Sequence, residues 1–304
     1  MSEEDNNSFE GDTRSCSCCA ACGIAEIDDI KVVPCDDCDL VKYCSDECQR
    51  DHKSEHEEEC KKRAAELQDE ILFKQPESSC YGDCPICSLP LPLDMKKSAM
   101  MGCCSKIICS GCAHANMKRE VERRLAPSCP FCRTPLPETE EEIDNRIMKR
   151  IEANDPDAMC HLGGKRHNKG DYTRAFEYYT KATELGSVEA HYTLAVMYRE
   201  WHGVEKDEGK FTRHLEEAAI GGHPDARYNL GILERKNGKV ERGVKHFIIA
   251  ATQGHDVAIK ELMKAFKEGF VSKDVLASAL RAQKAALDAT KSPQRQAAEE
   301  FFSR

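Results

Sequence analysis

Long apolar runs are missing from this 304-residue chain. No stretch approaches the roughly eighteen residues that a membrane-crossing helix requires, so no membrane contact is expected. The opening segment MSEEDNNSFEGD lacks both a basic start and an apolar centre, and it does not read as a secretory signal. A basic stripe is missing as well. The net charge is −10, and residues 1–60 hold eighteen Asp and Glu against five Lys and Arg. A nucleic-acid binder needs concentrated positive charge to displace counterions, so protein partners are expected and nucleic acid is not. Nucleotide-binding loops, hydrolase elbows and kinase signatures are also absent, which removes those enzyme classes from consideration.

Cysteine, by contrast, is abundant. Eighteen of the nineteen cysteines fall between Cys16 and Cys132. Without a secretory signal the setting is expected to be reducing and intracellular, which favours zinc over disulfides. The densest stretch reads Cys84-Pro85-Ile86-Cys87, Cys103-Cys104, Cys109-Ser110-Gly111-Cys112, then Cys129-Pro130-Phe131-Cys132-Arg133. A CxxC pair lets two thiolates reach one tetrahedral ion from a tight turn, and two such pairs complete a structural site. Eight thiols here suffice for two ions. An earlier block holds Cys19-x2-Cys22, Cys35-x2-Cys38, Cys44-x3-Cys48 and His52-x3-His56-x3-Cys60. From Cys44 onward the step is four, which stacks these residues along one helical face. The first pair has an alternative, because Cys16 stands in the same spacing to Cys19; the shorter loop to Cys35 favours Cys19 and Cys22. Units this small bury little apolar area, so metal binding and folding are one event.

The run YCSDECQRDHKSEHEEEC resembles the MYND finger, a cross-braced zinc module for protein–protein recognition, within residues 16–60. The resemblance implies one zinc on Cys19, Cys22, Cys44 and Cys48 and a second on Cys35, Cys38, His56 and Cys60. His52 is then a supporting or surface residue, and Lys53 stands where the family usually has tryptophan. Residues 80–137 resemble a RING finger. Its topology implies one zinc on Cys84, Cys87, Cys109 and Cys112, and another on Cys129, Cys132 and a middle pair. The family places Cys-x-His before the third CxxC, whereas this chain has Lys106 two residues after Cys104. Cys103 beside Cys104 is the natural substitute, with His114 as the alternative fourth ligand. About four zinc ions from sixteen ligands follow.

A RING of this kind needs no catalytic side chain. It docks a ubiquitin-charged conjugating enzyme through an apolar residue, here Ile86, and a proline, here Pro130. An arginine just past the last ligand, here Arg133, clamps the ubiquitin with its planar fork of donors. The resemblance therefore implies a RING-type E3 ubiquitin ligase. The alternative is a non-catalytic zinc scaffold or adaptor in which Ile86 and Pro130 only shape the knuckles. MYND fingers also accompany methyltransferase domains, but residues 138–304 carry no such motif.

The remaining segments fill in around these modules. Residues 1–15 are expected to be a disordered acidic tail. Residues 61–79 are expected as a linker helix with a stripe through Ala64, Leu67, Ile71 and Leu72, stopped by Pro76. Residues 138–154 read as an acidic helical linker. Beyond Asn154 the composition turns helical and repeats: Ala158, Ala190, Ala226 and Ala258 recur at steps of 32, 36 and 32 residues. Each unit has a glycine-centred turn, a second helix and a closing Gly186, Gly222 or Gly254. No single helical hairpin buries its apolar face, so neighbours must stack into a solenoid. The pattern, including AAIGGHPDARYNLG, resembles the Sel-one-like repeat, a relative of the tetratricopeptide repeat, over 155–270. Such stacks bind peptides or partner domains. His161, His191, His223 and His255 read as turn or packing residues, and residues 271–304 as capping helices. The fold class expected is small zinc-stabilised α+β modules followed by an all-α helical-hairpin solenoid.

Overall fold

The computed structural model describes residues 18–26 and 30–303. The acidic tail expected over 1–15 and the alternative ligand Cys16 lie outside the described residues. The chain divides into two compact units, the first ending at Leu72 and the second beginning at Phe73.

In the first unit, strands β1 (Val33–Pro34) and β2 (Lys42–Tyr43) pair antiparallel with Val33 opposite Tyr43. Helix α1 (Asp46–Leu72) follows. It has almost no apolar stripe, and only His56 and Leu72 are buried along it. The core is instead a cluster of Cys19, Val32, Cys35, Cys38 and Tyr43. Thiols thus take the place that leucine and valine fill in an ordinary small domain. The helix passes Cys60 without a break and ends ahead of Pro76, because Phe73 leaves it to pack its ring 4.7 Å from that of His246.

The second unit opens with strands β3 (Ser98–Met101) and β4 (Lys106–Cys109), an antiparallel hairpin with Met101 opposite Lys106. Helix α2 (Ser110–Arg123) starts directly from β4. Helix α3 (Glu140–Glu152) is capped by Thr139 and carries three acids in its first turn, which suits the positive end of its dipole. It is more than a spacer. Its Ile147 is buried with Ala158 and Leu162, and Arg150 donates to Asp155 at 2.8 Å through Nε.

Four helical hairpins then stack: α4 (Pro156–Asn168) with α5 (Tyr172–Glu184), α6 (Val188–Glu200) with α7 (Glu208–Ile220), α8 (Pro224–Lys236) with α9 (Val240–Thr252), and α10 (Asp256–Lys267) with α11 (Lys273–Ala289). The 36-residue step is accounted for by the longer loop between α6 and α7, residues 201–207. The closing Gly186, Gly222 and Gly254 all have positive φ, where a side chain would be strained. At the eighth residue of the paired helices in the first three hairpins a small residue stands against a large one. Gly163 lies under Tyr179 and Gly231 under Phe247, while Ala195 and Leu215 occupy the same positions in the middle hairpin and are fully buried.

Asp155, Ser187, His223 and His255 cap the first helix of each hairpin. In the last two the imidazole works on both sides. The Nδ1 atoms accept from the N–H of Ala226 at 3.4 Å and of Ala258 at 3.1 Å. The Nε2 atoms face Glu189 at 3.3 Å and Asp225 at 3.0 Å, each carboxylate belonging to the preceding repeat. These two histidines are therefore turn residues that also tie one repeat to the next. His161 and His191 sit within α4 and α6 instead.

Helix α11 closes the solenoid, with Ala279 buried beside Phe247 and Leu262. Helix α12 (Pro293–Phe302) does not extend that cap. It packs on α2 of the cysteine-rich region.

Candidate metal centres

Four of the CxxC turns share one backbone device. The N–H four residues on returns to the carbonyl of the first cysteine: Gly23 to Cys19 (2.9 Å), Asp39 to Cys35 (3.1 Å), Ser88 to Cys84 (2.8 Å) and Arg133 to Cys129 (3.0 Å). All four of those donors have positive φ. This left-handed step turns both thiols of each pair toward the same point. The fifth pair, Cys109 and Cys112, is arranged differently, with Cys109 at the N-cap and Cys112 in the first turn of α2. The adjacent Cys103 and Cys104 sit in the β3–β4 turn, where the N–H groups of Cys104 and Ser105 both bond to Met101 O. In a strand two neighbours would face opposite ways; the turn lets both face one site.

The structure gathers these side chains into four sets, in each of which the ligand atoms lie within 4.8 Å of one another. They are Cys19, Cys22, Cys44 and Cys48; Cys35, Cys38, His56 and Cys60; Cys84, Cys87, Cys109 and Cys112; and Cys103, Cys104, Cys129 and Cys132. A tetrahedral ion with Zn–S near 2.3 Å sets a sulfur–sulfur edge of about 3.8 Å. The measured edges include 3.6 Å for Cys22–Cys44, 3.7 Å for Cys44–Cys48, and 3.8 Å for both Cys35–Cys60 and Cys87–Cys109. The fourth set gives 3.9 Å for Cys104–Cys129 and a tighter 3.3 Å for Cys103–Cys132. A disulfide, at about 2.05 Å, is far shorter, and the described cysteines are free thiols. The donor sets fit zinc.

Electrostatics point the same way. Hydrogen bonding with Cys22 pushes the Cys44 thiol up to about 12. Burial, then the neighbours Cys38 and Cys35, does the same to Cys60. Burial with adjacent thiols also raises Cys103 and Cys112. Against burial, backbone N–H groups of Cys22 and Cys44 bring Cys19 down to about 6. Those of Cys109 and Cys87 likewise bring Cys84 to about 7 despite its burial. Thiols packed this closely cannot all ionise unaided, and a divalent cation is what lets all of them be thiolates together.

His114 lies apart from the fourth set. Its ring is 4.8 Å from Phe301, and Cys103 takes the place for which His114 was the alternative. His52 stays outside the second set, held by Tyr43 Oη at 3.1 Å and stacked on the ligand-set residue His56. Lys106 is exposed on β4. One neighbour that motif spacing gave no sign of is Arg295, whose Nη2 reaches Cys87 Sγ at 3.5 Å across 208 residues of chain.

Comparison with known proteins agrees with this geometry in part. Residues 16–60 match the MYND finger family, and residues 156–187 and 224–255 match the Sel1 repeat. The chain is 37% identical over 57 residues to a protein of Ostreid herpesvirus 1 (isolate France) provisionally named RING finger protein ORF96, covering 18% of this chain and 24% of that one. It is 38% identical over 53 residues to a Helicobacter pylori (strain J99) protein provisionally named beta-lactamase HcpC, covering 17% of this chain and 18% of that one. The chain thus spans about a quarter or less of these curated relatives. Among solved structures, c5321, a protective antigen of uropathogenic Escherichia coli with an SLR fold, is 28% identical with a TM-score of 0.41, over 46% of this chain and 32% of that one. A Sel1 repeat protein from Oxalobacter formigenes is 22% identical with a TM-score of 0.44, over 54% and 50%. With a MYND finger at 16–60 and Sel1 repeats in its helical stack, the chain is a zinc-binding protein built from protein-interaction modules.

Proposed function

We propose that this protein is an intracellular RING-type E3 ubiquitin ligase in which the MYND finger and the Sel1 repeats recruit substrates. The sixteen residues of the four sets described would hold four zinc ions. The observation that carries the ligase reading is the interleaving of residues 84–132: the first CxxC, Cys84 and Cys87, shares a site with the second, Cys109 and Cys112, and the Cys103–Cys104 turn shares one with the last, Cys129 and Cys132. That cross-brace sets the first and last knuckles on a common scaffold. Ile86, in the first knuckle, is 41% exposed, so its side chain is open to a docking partner. Pro130 is half-buried and Arg133 exposed in the last knuckle. Asn116 of α2 joins the two elements, donating to Ser128 O at 3.1 Å and accepting from Arg133 Nη1 at 2.9 Å. The guanidinium is thereby oriented before any partner arrives. The name of the viral relative accords with this reading.

The zinc ions supply shape and charge, with no bond-breaking role. The chain's own residues dock a ubiquitin-conjugating enzyme on Ile86 and Pro130 and present the Arg133 fork to carbonyl acceptors. No helix of the described residues is long and apolar enough to cross a membrane. Self-ubiquitination against a panel of conjugating enzymes tests the reading. Activity in wild type, lost in Ile86→Ala and Arg133→Ala, is the expected result. Inactivity of fully zinc-loaded protein with every conjugating enzyme would leave the non-catalytic scaffold as the function.

A further inference from the structure

We propose that the C-terminal helix is a working part of the zinc site of Cys84, Cys87, Cys109 and Cys112. Arg295 supplies the counter-charge for this tetrathiolate and clasps the knuckle that carries Ile86. The proposal rests on zinc filling that set, and draws on the ligase reading only for the use to which the knuckle is put.

Arg295 is 6% exposed. A guanidinium stays charged at any ordinary pH, and a buried charge is strongly disfavoured unless an opposite charge lies near. Among the described residues, Arg295 makes no ion pair with a carboxylate; its contacts are four terminal hydrogen bonds. Nη1 donates to Pro90 O and Thr290 O, each at 2.7 Å, and Nη2 to Leu89 O at 3.1 Å and Cys87 Sγ at 3.5 Å. Three acceptors are neutral carbonyls, so the one anion on hand is the sulfur set. Four thiolates around one divalent zinc leave a net charge of about −2, and an N–H···S bond from a buried cation stabilises that excess. Partners of this kind orient metal ligands and tune their donation. Leu89 and Pro90 follow directly on the knuckle, so the same fork fixes the loop that displays Ile86.

Gly111 points to the same seating independently. A Cβ there would lie 2.8 Å from both the backbone N and the Cγ of Arg295. The position just before Cys112 must therefore be glycine for α12 to sit this close. The remaining seat is built by Lys97 with Glu299 at 2.8 Å and by His114 against Phe301. Ser292 caps α12 on its own side, accepting from the N–H of Arg295 at 3.2 Å, so the helix arrives preformed.

The test is zinc release from the full chain to a colorimetric chelator, with cysteine alkylation and mass spectrometry to map which thiols open first. Arg295→Ala should speed loss of one zinc equivalent by about tenfold or more, the scale of one lost charge-assisted hydrogen bond. The alkylated residues should be Cys84, Cys87, Cys109 and Cys112. Arg295→Lys keeps the charge but not the fork, and should fall between. Gly111→Ala should open the same site with Arg295 intact. Wild-type release rates in both Arg295→Ala and Gly111→Ala would overturn the proposal, as would acceleration that maps to Cys103, Cys104, Cys129 and Cys132. Wild-type protein carrying no zinc on Cys84, Cys87, Cys109 and Cys112 would overturn the proposal together with the metal assignment beneath it, whereas a wild type loaded with zinc but inactive as a ligase leaves the proposal standing.

Discussion

Replacing Gly231 by alanine should destabilise the helical stack, although alanine is the better helix former. A Cβ at this position would meet Phe247 at 2.5 Å (Cε1), 2.7 Å (Cδ1) and 3.0 Å (Cζ). Carbon pairs prefer about 3.5–4.0 Å, so α8 and α9 must part by about 1 Å or the ring must leave its rotamer. Phe247 is fully buried and has no free direction to move. Overpacking of this kind costs about 1–3 kcal/mol, and the helix propensity of alanine returns about 0.8–1.0 kcal/mol. A net loss near 1 kcal/mol remains, a shift of about 2–4 °C in melting temperature for a unit of this size. The equivalent Gly163 approaches Tyr179 no closer than 3.0 Å, so Gly163→Ala should be nearly neutral. The middle hairpin already pairs Ala195 with Leu215, which makes Gly231→Ala combined with Phe247→Leu a transplant of that pair. The double variant should be more stable than the two single losses predict, by about 1 kcal/mol of coupling. Urea unfolding followed by far-ultraviolet circular dichroism, with zinc present throughout, measures all four corners of the cycle. The reasoning fails if Gly231→Ala equals or exceeds wild type, or if the double variant is additive to within about 0.5 kcal/mol.

Two further outcomes can be measured directly. Elemental analysis should find about four zinc ions per chain, with one equivalent lost in Cys103→Ser and none in His114→Ala; two or fewer in wild type would refute the four-site arrangement. The second concerns pH. His246 is fully buried, and burial, then the nearby Arg227, pushes its imidazole down to about 3. The unfolded chain binds a proton near 6.5 while the folded chain does not, so stability is full above that pH and falls as pH drops toward 3. One such group removes about 2 kcal/mol between pH 7 and pH 5. His246→Leu should therefore lose less melting temperature than wild type over that interval, since zinc loss in acid is common to both. Equal losses would refute this.

What could be read from sequence alone followed from local periodicity. The steps of 32, 36 and 32 residues reappear as the starts of α4, α6, α8 and α10, because each hairpin is a local unit that repeats its own caps and turns. The CxxC pairs are equally local, and their spacing alone marks a turn. Which pair shares an ion with which is not local, and it came from family topology instead. The adjacent Cys103 and Cys104 illustrate the limit: composition offered His114 as a rival, and only the geometry of the β3–β4 turn separates them. His52 sits in register with the ligands of α1, yet Tyr43 holds its Nδ1, a contact set by where β2 meets the helix. Helix α12 was least legible. Its capping serine and Pro293 announce a helix, but nothing in its own residues says that it leaves the solenoid and seats on Gly111.

The clasp of Arg295 on the Cys87 knuckle also orders events in time. A ribosome adds residues at about 5–20 per second, so the 208 residues between these partners take roughly 10–40 s to synthesise. During that interval the first unit has all its described ligands in hand and can capture zinc and fold, whereas the knuckle bearing Ile86 has its thiols but not its counter-charge. The last module to be completed is then one that starts in the first third of the chain. A message cut short before residue 295 would leave the repeats nearly whole and the Ile86 knuckle unfinished.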